Sequence, residues 1–248
     1  MKRLWKHVPV VAAVLILGVS GATHAGNQVR ITEDRPYIYV THNDRLVRVQ
    51  RIQDEQHELS GGFARTSRKC PPFCITPKIP APGVNAMGEL ELFEFLRFTV
   101  DAGRGLLVDA RTSSFFERGT IPGSVSIPFT RFEEDPESDG MRDLLIKLGA
   151  KPVSEQSRSW WNGLWARVRN IIGSAEASEQ GAWDFSEAKE LALWCNGPWC
   201  DQSPRAIKAL VDLGYPPEKL HYYRGGMQNW QMLGLSVILP DVSEVAQW

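Results

Sequence analysis

Two short stretches hold all four cysteines of this 248-residue chain, Cys70-Pro-Pro-Phe-Cys74 and Cys195-Asn-Gly-Pro-Trp-Cys200. In the second, the apolar run Glu190-Leu-Ala-Leu-Trp194 stops at Cys195, a polar loop follows, and a helix is expected from Pro204 to Leu213. Ser203 is the natural N-cap of that helix and Pro204 its natural first residue. The unpaired backbone N–H groups of a helix start, with those of the loop, can point at a sulfur held in the curve and favour an anion there. A thiolate so placed has a lowered pKa, and the thiolate is the form that attacks sulfur and carries it as a persulfide. Cys195 is the expected nucleophile. Cys200 permits a second chemistry, in which it resolves a Cys195 persulfide or mixed disulfide into an internal bridge. The spacing is not that of a C-x-x-C redox site, and a bridge requires the two Cα atoms within about 7 Å.

The elements that must position this loop alternate strands with helices. Gly105-Leu-Leu-Val-Asp-Ala110 reads as a buried strand, Ser113–Arg118 as a helical turn, Ile121–Ser124 as a turn, Val125–Ile127 as a short strand and Met141–Leu148 as a helix. Glu190–Cys195 and Leu220–Tyr223 are further strands, and Met227–Leu233 a closing helix. An apolar face at Leu90, Leu92, Phe93, Phe95 and Leu96 predicts a helix before the first of these strands. Such alternation implies parallel crossovers, hence an α/β fold with a central parallel sheet flanked by helices on both faces. Ligands of such sheets sit at the carboxyl ends of strands, where Cys195 lies.

Three segments together resemble the rhodanese family. A strand ending in Cys195, a six-residue loop and a helix look like its active-site loop. Val108-Asp109-Ala110-Arg111, Gly119-Thr-Ile-Pro-Gly-Ser124 and Val125-Ser-Ile-Pro128 resemble its Asp-x-Arg, Gly-His-Ile-Pro-Gly-Ala and Asn-Ile-Pro signatures. Tyr223-Arg-Gly-Gly-Met-Gln-Asn-Trp230 resembles its closing Gly-Gly-x-x-x-Trp motif. The resemblance covers about Gly88 to Ile238 and implies a rhodanese-like domain over 88–240. It implies a sulfurtransferase whose Cys195 takes sulfane sulfur from a small donor such as thiosulfate and passes it to a thiophilic acceptor, small molecule or protein thiol. It needs no metal and no organic cofactor, and Asn196, Gly197, Pro198, Trp199 and Cys200 would form its backbone cradle. Two departures stand out. Cys200 occupies a place near the loop end where thiosulfate-active relatives commonly carry Arg or Lys, and Thr120 replaces the usual His. Arg205, in the first helical turn, is the candidate substitute cation, against its being an outward-facing surface arginine. Asp109 and Arg111 are either an acid and an anion clamp or, the preferred reading, an ion pair ordering loops at the sheet's end.

Upstream, Pro36–Gln53 alternates apolar and polar residues around Asn43-Asp44 and reads as a β-hairpin. The proline-rich stretch from Leu59 to Pro82 behaves as an irregular connector. Hairpin and connector make an N-terminal extension over 26–87. Cys70-Pro-Pro-Phe-Cys74 recurs in exported proteins that share the Cys-Asn-Gly-Pro-Trp-Cys loop. It serves as a disulfide staple, as a relay accepting sulfur or electrons from Cys195, or as a soft-metal site. His42 and His57 are the nearest candidates to complete a metal site and lack ligand spacing, so no metal is expected.

The basic Lys2, Arg3 and Lys6, the apolar run Val8–Val19 and the small residues ending at Ala25 have the layout of a secretory signal over 1–25. The run is shorter than the ~20 residues that span a bilayer, so cleavage after Ala25 and a periplasmic or secreted protein are expected. A net charge of −1 and a pI near 6.5 argue against binding nucleic acid or anionic lipid at large. Between the two halves, Lys151–Ala182 is a tryptophan-rich insertion. Trp160, Trp161, Leu164, Trp165, Val168, Ile171 and Ile172 suit an amphipathic helix. That helix either packs on its own domain or offers a membrane-surface or protein contact through 160–172. Competing with sulfur transfer are an envelope thiol redox or sulfur-carrier protein using Cys195 and Cys200, and a non-catalytic partner-binding module.

Overall fold

The computed structural model describes residues 28–154, 160 and 182–241. The predicted leader and nearly all of the tryptophan-rich insertion lie outside them. Of the expected amphipathic helix only Trp160 is described, and it is exposed.

Strands β1 (Tyr37–His42) and β2 (Arg45–Gln50) form the expected antiparallel hairpin. Asn43 and Asp44 turn it, with φ of 47° and 57°, the left-handed pair that a two-residue hairpin turn requires and that Asn and Asp tolerate. The alternating pattern buries Ile38, Val40 and Val49 on one side. Each such side chain contributes ~1.5–3 kcal/mol when fully buried. The hairpin is also tied down: the Ser236 N–H donates to the Gln50 carbonyl at 3.0 Å, the Ile52 N–H to the Gly234 carbonyl at 2.7 Å and the Gly123 N–H to His42 Nδ1 at 3.1 Å.

Next come β3 (Asn85–Met87), α1 (Glu89–Phe95), β4 (Gly105–Asp109), α2 (Ser113–Phe116), β5 (Ser124–Ser126) and α3 (Asp139–Lys147). Glu91 reaches back to the Gly88 N–H at 2.9 Å to start α1, and the Ser138 hydroxyl accepts from the Met141 N–H at 3.1 Å to start α3. The two-residue strands β6 (Lys151–Pro152) and β7 (Trp183–Asp184) pair antiparallel, so the insertion leaves and re-enters the domain at one point. The chain closes with β8 (Glu190–Trp194), α4 (Gln202–Asp212), β9 (Leu220–Tyr223) and α5 (Gly226–Met232).

Five strands form one parallel sheet in the order β3-β9-β8-β4-β5. Strand β3 lies in the stretch read from sequence as extension. Three residues with no apolar alternation carry no strand signal, and only pairing with β9 makes Asn85–Met87 a strand. In β8, Leu191 and Leu193 face a core with α3 and α4, whereas Ala192 and Trp194 face a second core with α1, α5 and the hairpin. Both faces of the sheet are therefore covered. From the middle, β4 leads outward to β5 and β8 outward to β9 on the other side. Their shared boundary is thus the switch point at which connections diverge and leave a crevice. Cys195 follows β8 there, and Arg111 follows β4.

Candidate active site

The Cys195 loop is held from both ends. From α5, the Met227 N–H donates to the Cys195 carbonyl and the Gln228 N–H to the Asn196 carbonyl, each at 3.0 Å. This grip needs Gly226. Its φ is +55°, and a Cβ there would lie 2.1 Å from the Cys195 carbonyl oxygen. Gly197, at φ +154°, lets the loop turn beside Gln228. On the other side, α4 starts at Gln202 with Asp201 as N-cap. The helix therefore begins before the Ser203 and Pro204 start expected from sequence. Ser203 is inside its first turn and fully buried, and its hydroxyl makes no hydrogen bond. The expected capping role is thus absent, and the hydroxyl is instead among the groups that lower the Cys195 pKa.

Cys195 and Cys200 are free thiols and lie side by side, 2% and 6% exposed. Burial pushes the Cys195 thiol up. The Cys200 thiol, the Ser203 hydroxyl and N–H and the Gly197 N–H all favour the anion, and together they leave it below its ordinary value. As a thiol, Cys195 also touches the Cys200 carbonyl at 3.4 Å, a contact that opposes ionisation but is outnumbered. Cys200 moves the other way, held protonated by its hydrogen bond to Cys195, by burial and by the neighbouring charge. Of the two thiols, Cys195 is therefore the one that ionises first. The cradle differs from the expected run Asn196–Cys200. Pro198 has no N–H, and the Cys200 N–H is spent on the Gly197 carbonyl at 2.9 Å. The N–H groups that face the two sulfurs belong to Asn196, Gly197, Gln202 and Ser203. Two of these start α4, so the helix end contributes its partial positive charge.

Asp109 and Arg111 form a buried bidentate pair, Nε to Oδ1 at 2.8 Å and a terminal nitrogen to Oδ2 at 2.6 Å, with exposures of 0% and 2%. Arg111 also donates to the Gly119 carbonyl at 2.7 Å and lies over the Trp194 ring. Thr120, the residue in place of the family's His, donates its hydroxyl to Asp109 at 3.0 Å. The set binds the end of β4 to the 119–120 turn, so its geometry is that of an ordering ion pair. Arg205, the candidate cation, is turned away: it holds Glu133 through two hydrogen bonds of 2.7 and 2.6 Å and stacks over Phe129.

Cys70 and Cys74 are joined in a disulfide, so neither offers a thiolate for a metal or a ready thiol for a relay. Among the described residues no group of three or more His, Cys, Asp or Glu side chains is arranged to hold a metal ion. The disulfide segment instead covers the active-site loop. Phe73 meets the Trp199 ring edge-on at 5.6 Å, and the Arg68 guanidinium lies 3.7 Å over its face. The Thr76 N–H donates to the Pro198 carbonyl at 2.8 Å. Gln228 joins both parts, accepting from Trp199 Nε1 at 2.6 Å and donating to the Phe63 carbonyl at 2.9 Å. Between this lid, the loop and α2 lies a cleft of about 490 Å³. Cys200, Asn196, Arg111, Phe115, Arg118 and Trp199 are among its walls. Cys195 sits one layer beneath. Sequence reasoning missed Arg68, Phe73, Arg118, Gln228 and the Ser203 hydroxyl. Arg118 stood inside a recognised motif, but nothing in local spacing links residues 63–76 to residue 199.

A parallel sheet covered on both faces, with a cysteine-bearing loop at its switch point, defines an α/β domain. The rhodanese-like domain model matches residues 95–233, and the chain belongs to that family. The chain is similar to the human single-domain sulfurtransferase TSTD1, at 17% identity, 60% of this chain, 96% of that one and a TM-score of 0.33. It is likewise similar to the Saccharomyces cerevisiae single-domain sulfurtransferase RDL2, at 16% identity, 61% and 91% coverage and a TM-score of 0.34. A third likeness is to a Rhodopseudomonas palustris protein of unknown function described as a possible tyrosine phosphatase, at 20% identity, 62% and 85% coverage and a TM-score of 0.38. Comparison with curated proteins finds no match.

Proposed function

We propose that this protein is a sulfurtransferase that carries sulfane sulfur as a persulfide on Cys195 and passes it to a thiophilic acceptor. The observation that carries this reading is the Cys195 sulfur itself, held below its ordinary pKa by Cys200, Ser203 and Gly197 and lying just beneath the cleft at the β4/β8 boundary. The same donors that favour a thiolate favour a persulfide anion one bond longer. Family membership supports the reaction class. A location outside the cytoplasm is supported by the predicted leader and by the Cys70–Cys74 disulfide, which suits an oxidising compartment. Incubation with a sulfane-sulfur donor should add one sulfur atom to the intact protein, and cyanide should release it as thiocyanate. Cys195→Ser should abolish both. Intact-mass spectra without added sulfur for any donor would overturn the proposal.

The adjacency of the two free thiols favours a second reading, a thiol redox protein. Here Cys200 attacks a mixed disulfide on Cys195, the Cys195–Cys200 bond forms, and the partner leaves as a thiol. Cys200→Ser separates the two: in the redox protein it traps the mixed disulfide and stops turnover, whereas in the sulfurtransferase the persulfide still forms and transfers.

A further inference from the structure

The lid and the cleft beneath it have no part in the chemistry so far. A volume of about 490 Å³ falls within the ~300–1,000 Å³ of sites that hold drug-sized ligands, and an ion as small as thiosulfate fills only a fraction of it. Its walls are largely aromatic and apolar, with Phe63, Phe73, Phe115, Trp199 and Met227 all contributing. Its charges are distributed unevenly. Arg111 is neutralised by Asp109. Arg68 rests on Trp199 and donates to the Gly62 carbonyl at 2.6 Å, while Arg118 lies 4.4 Å from the Phe115 ring centre. Among the described residues no carboxylate pairs with either of these two arginines. Asp201 is the acidic side chain in the lining, at the N-cap of α4. Asn196 lines the same cleft at 4% exposure, and its side-chain oxygen has no hydrogen-bond partner. The loop itself lacks a cation at position 200, so the positive charge comes instead from the lid and from the end of α2.

We propose that Arg68 and Arg118, with Phe73 and Phe115, form a specificity subsite for organic sulfane-sulfur donors that join an apolar body to an anionic head. This deepens the sulfurtransferase reading and rests on it. For a thiosulfonate R–SO2–S⁻, the apolar R group packs among the rings and the sulfonyl oxygens accept from the two arginines. The Cys195 thiolate attacks the outer sulfur. A sulfur–sulfur bond forms to Cys195 as the bond to the sulfonyl sulfur breaks, and its electron pair leaves on the sulfinate R–SO2⁻. The protein is left as a persulfide anion, and total charge is unchanged.

The test compares three donors on the full chain: benzenethiosulfonate, with ring and anion; thiosulfate, with anion and no ring; and benzyl persulfide, with ring and no sulfonyl. Benzenethiosulfonate should show the highest kcat/KM, through a lower KM. Arg118→Gln should cut that value about tenfold, the scale of removing one charge-assisted hydrogen bond, and leave benzyl persulfide nearly unchanged. Arg68→Gln should do the same, and Phe73→Ala serves where removal of Arg68 unseats the lid. A second measurement is independent of turnover: calorimetric binding of benzenesulfinate to Cys195→Ser protein, expected to weaken in the Arg118→Gln background. Thiosulfate preferred over benzenethiosulfonate, or sulfinate binding unaffected by both arginine changes, would overturn the subsite. If no donor loads Cys195 yet sulfinate binds in an arginine-dependent way, the transferase reading falls and the anion subsite stands.

Discussion

Cys195 is subject to opposing forces that its neighbours resolve. Burial alone would raise its pKa, and the Cys200, Ser203 and Gly197 donors around it bring it below the ordinary thiol value instead. Of these donors the Ser203 hydroxyl is the most separable, since it has no other polar partner. Ser203→Ala removes a group that favours the anion, so the thiolate should form at higher pH than in the unaltered protein. Thiolate ultraviolet absorbance followed against pH checks this; an unmoved or lowered midpoint would mean that the hydroxyl does not serve the sulfur. The Asp109–Arg111 pair is a different kind of residue-scale feature. Replacing Asp109 by Ala leaves a guanidinium buried without its counter-charge, a change that costs about 3–5 kcal/mol. Urea unfolding of Asp109→Ala should show a loss of that size, and a loss below about 1 kcal/mol would imply that water reaches Arg111.

At the scale of elements, the loop depends on the meeting of β8, α4 and α5. Helix α4 directs its first N–H groups at the two sulfurs, and α5 grips the loop carbonyls from behind. The Gly225-Gly226 motif therefore permits close approach rather than acting in the chemistry. Gly226→Ala places a methyl where the Cys195 carbonyl now sits, at a left-handed φ as well. The loop must move away from α5. Persulfide formation should fall by at least a hundredfold while circular dichroism keeps the α/β signature; retained activity would show that the α5 grip does not position Cys195. The same elements explain why Arg205 cannot replace the missing loop cation: α4 turns it toward Glu133, outside the cleft.

Across the whole molecule, the N-terminal extension is part of the domain it precedes. Ile38, Val40 and Val49 complete the core on the α1 and α5 side, and residues 63–76 roof the cleft. Removing residues up to Ala81 would uncover Leu96, Met227 and Trp230 as well as open the site. Such a chain should unfold at a markedly lower temperature and bind a hydrophobic dye more strongly. An unchanged midpoint would show that the hairpin adds little to the core.

Much of this was legible along the chain because it depends on local rules. The hairpin turn needs two residues that tolerate positive φ, and Asn43-Asp44 supply them. The strand-loop-helix around Cys195 follows from an apolar run, a glycine and a helix start. The parallel sheet follows from the spacing of strands and helices. The rest depends on pairings between distant residues. Strand β3 exists only through β9. Whether Arg205 or Arg118 faces the cleft is decided by how helices dock, and Arg68 reaches Trp199 only because the lid folds across the loop. The sequence by itself determined the family and the sheet and marked Cys195 as the expected nucleophile, since type and spacing dictate them. Tertiary structure alone decided which charges surround that nucleophile, because side chains 131 positions apart, such as Arg68 and Trp199, have no local signal that they will meet.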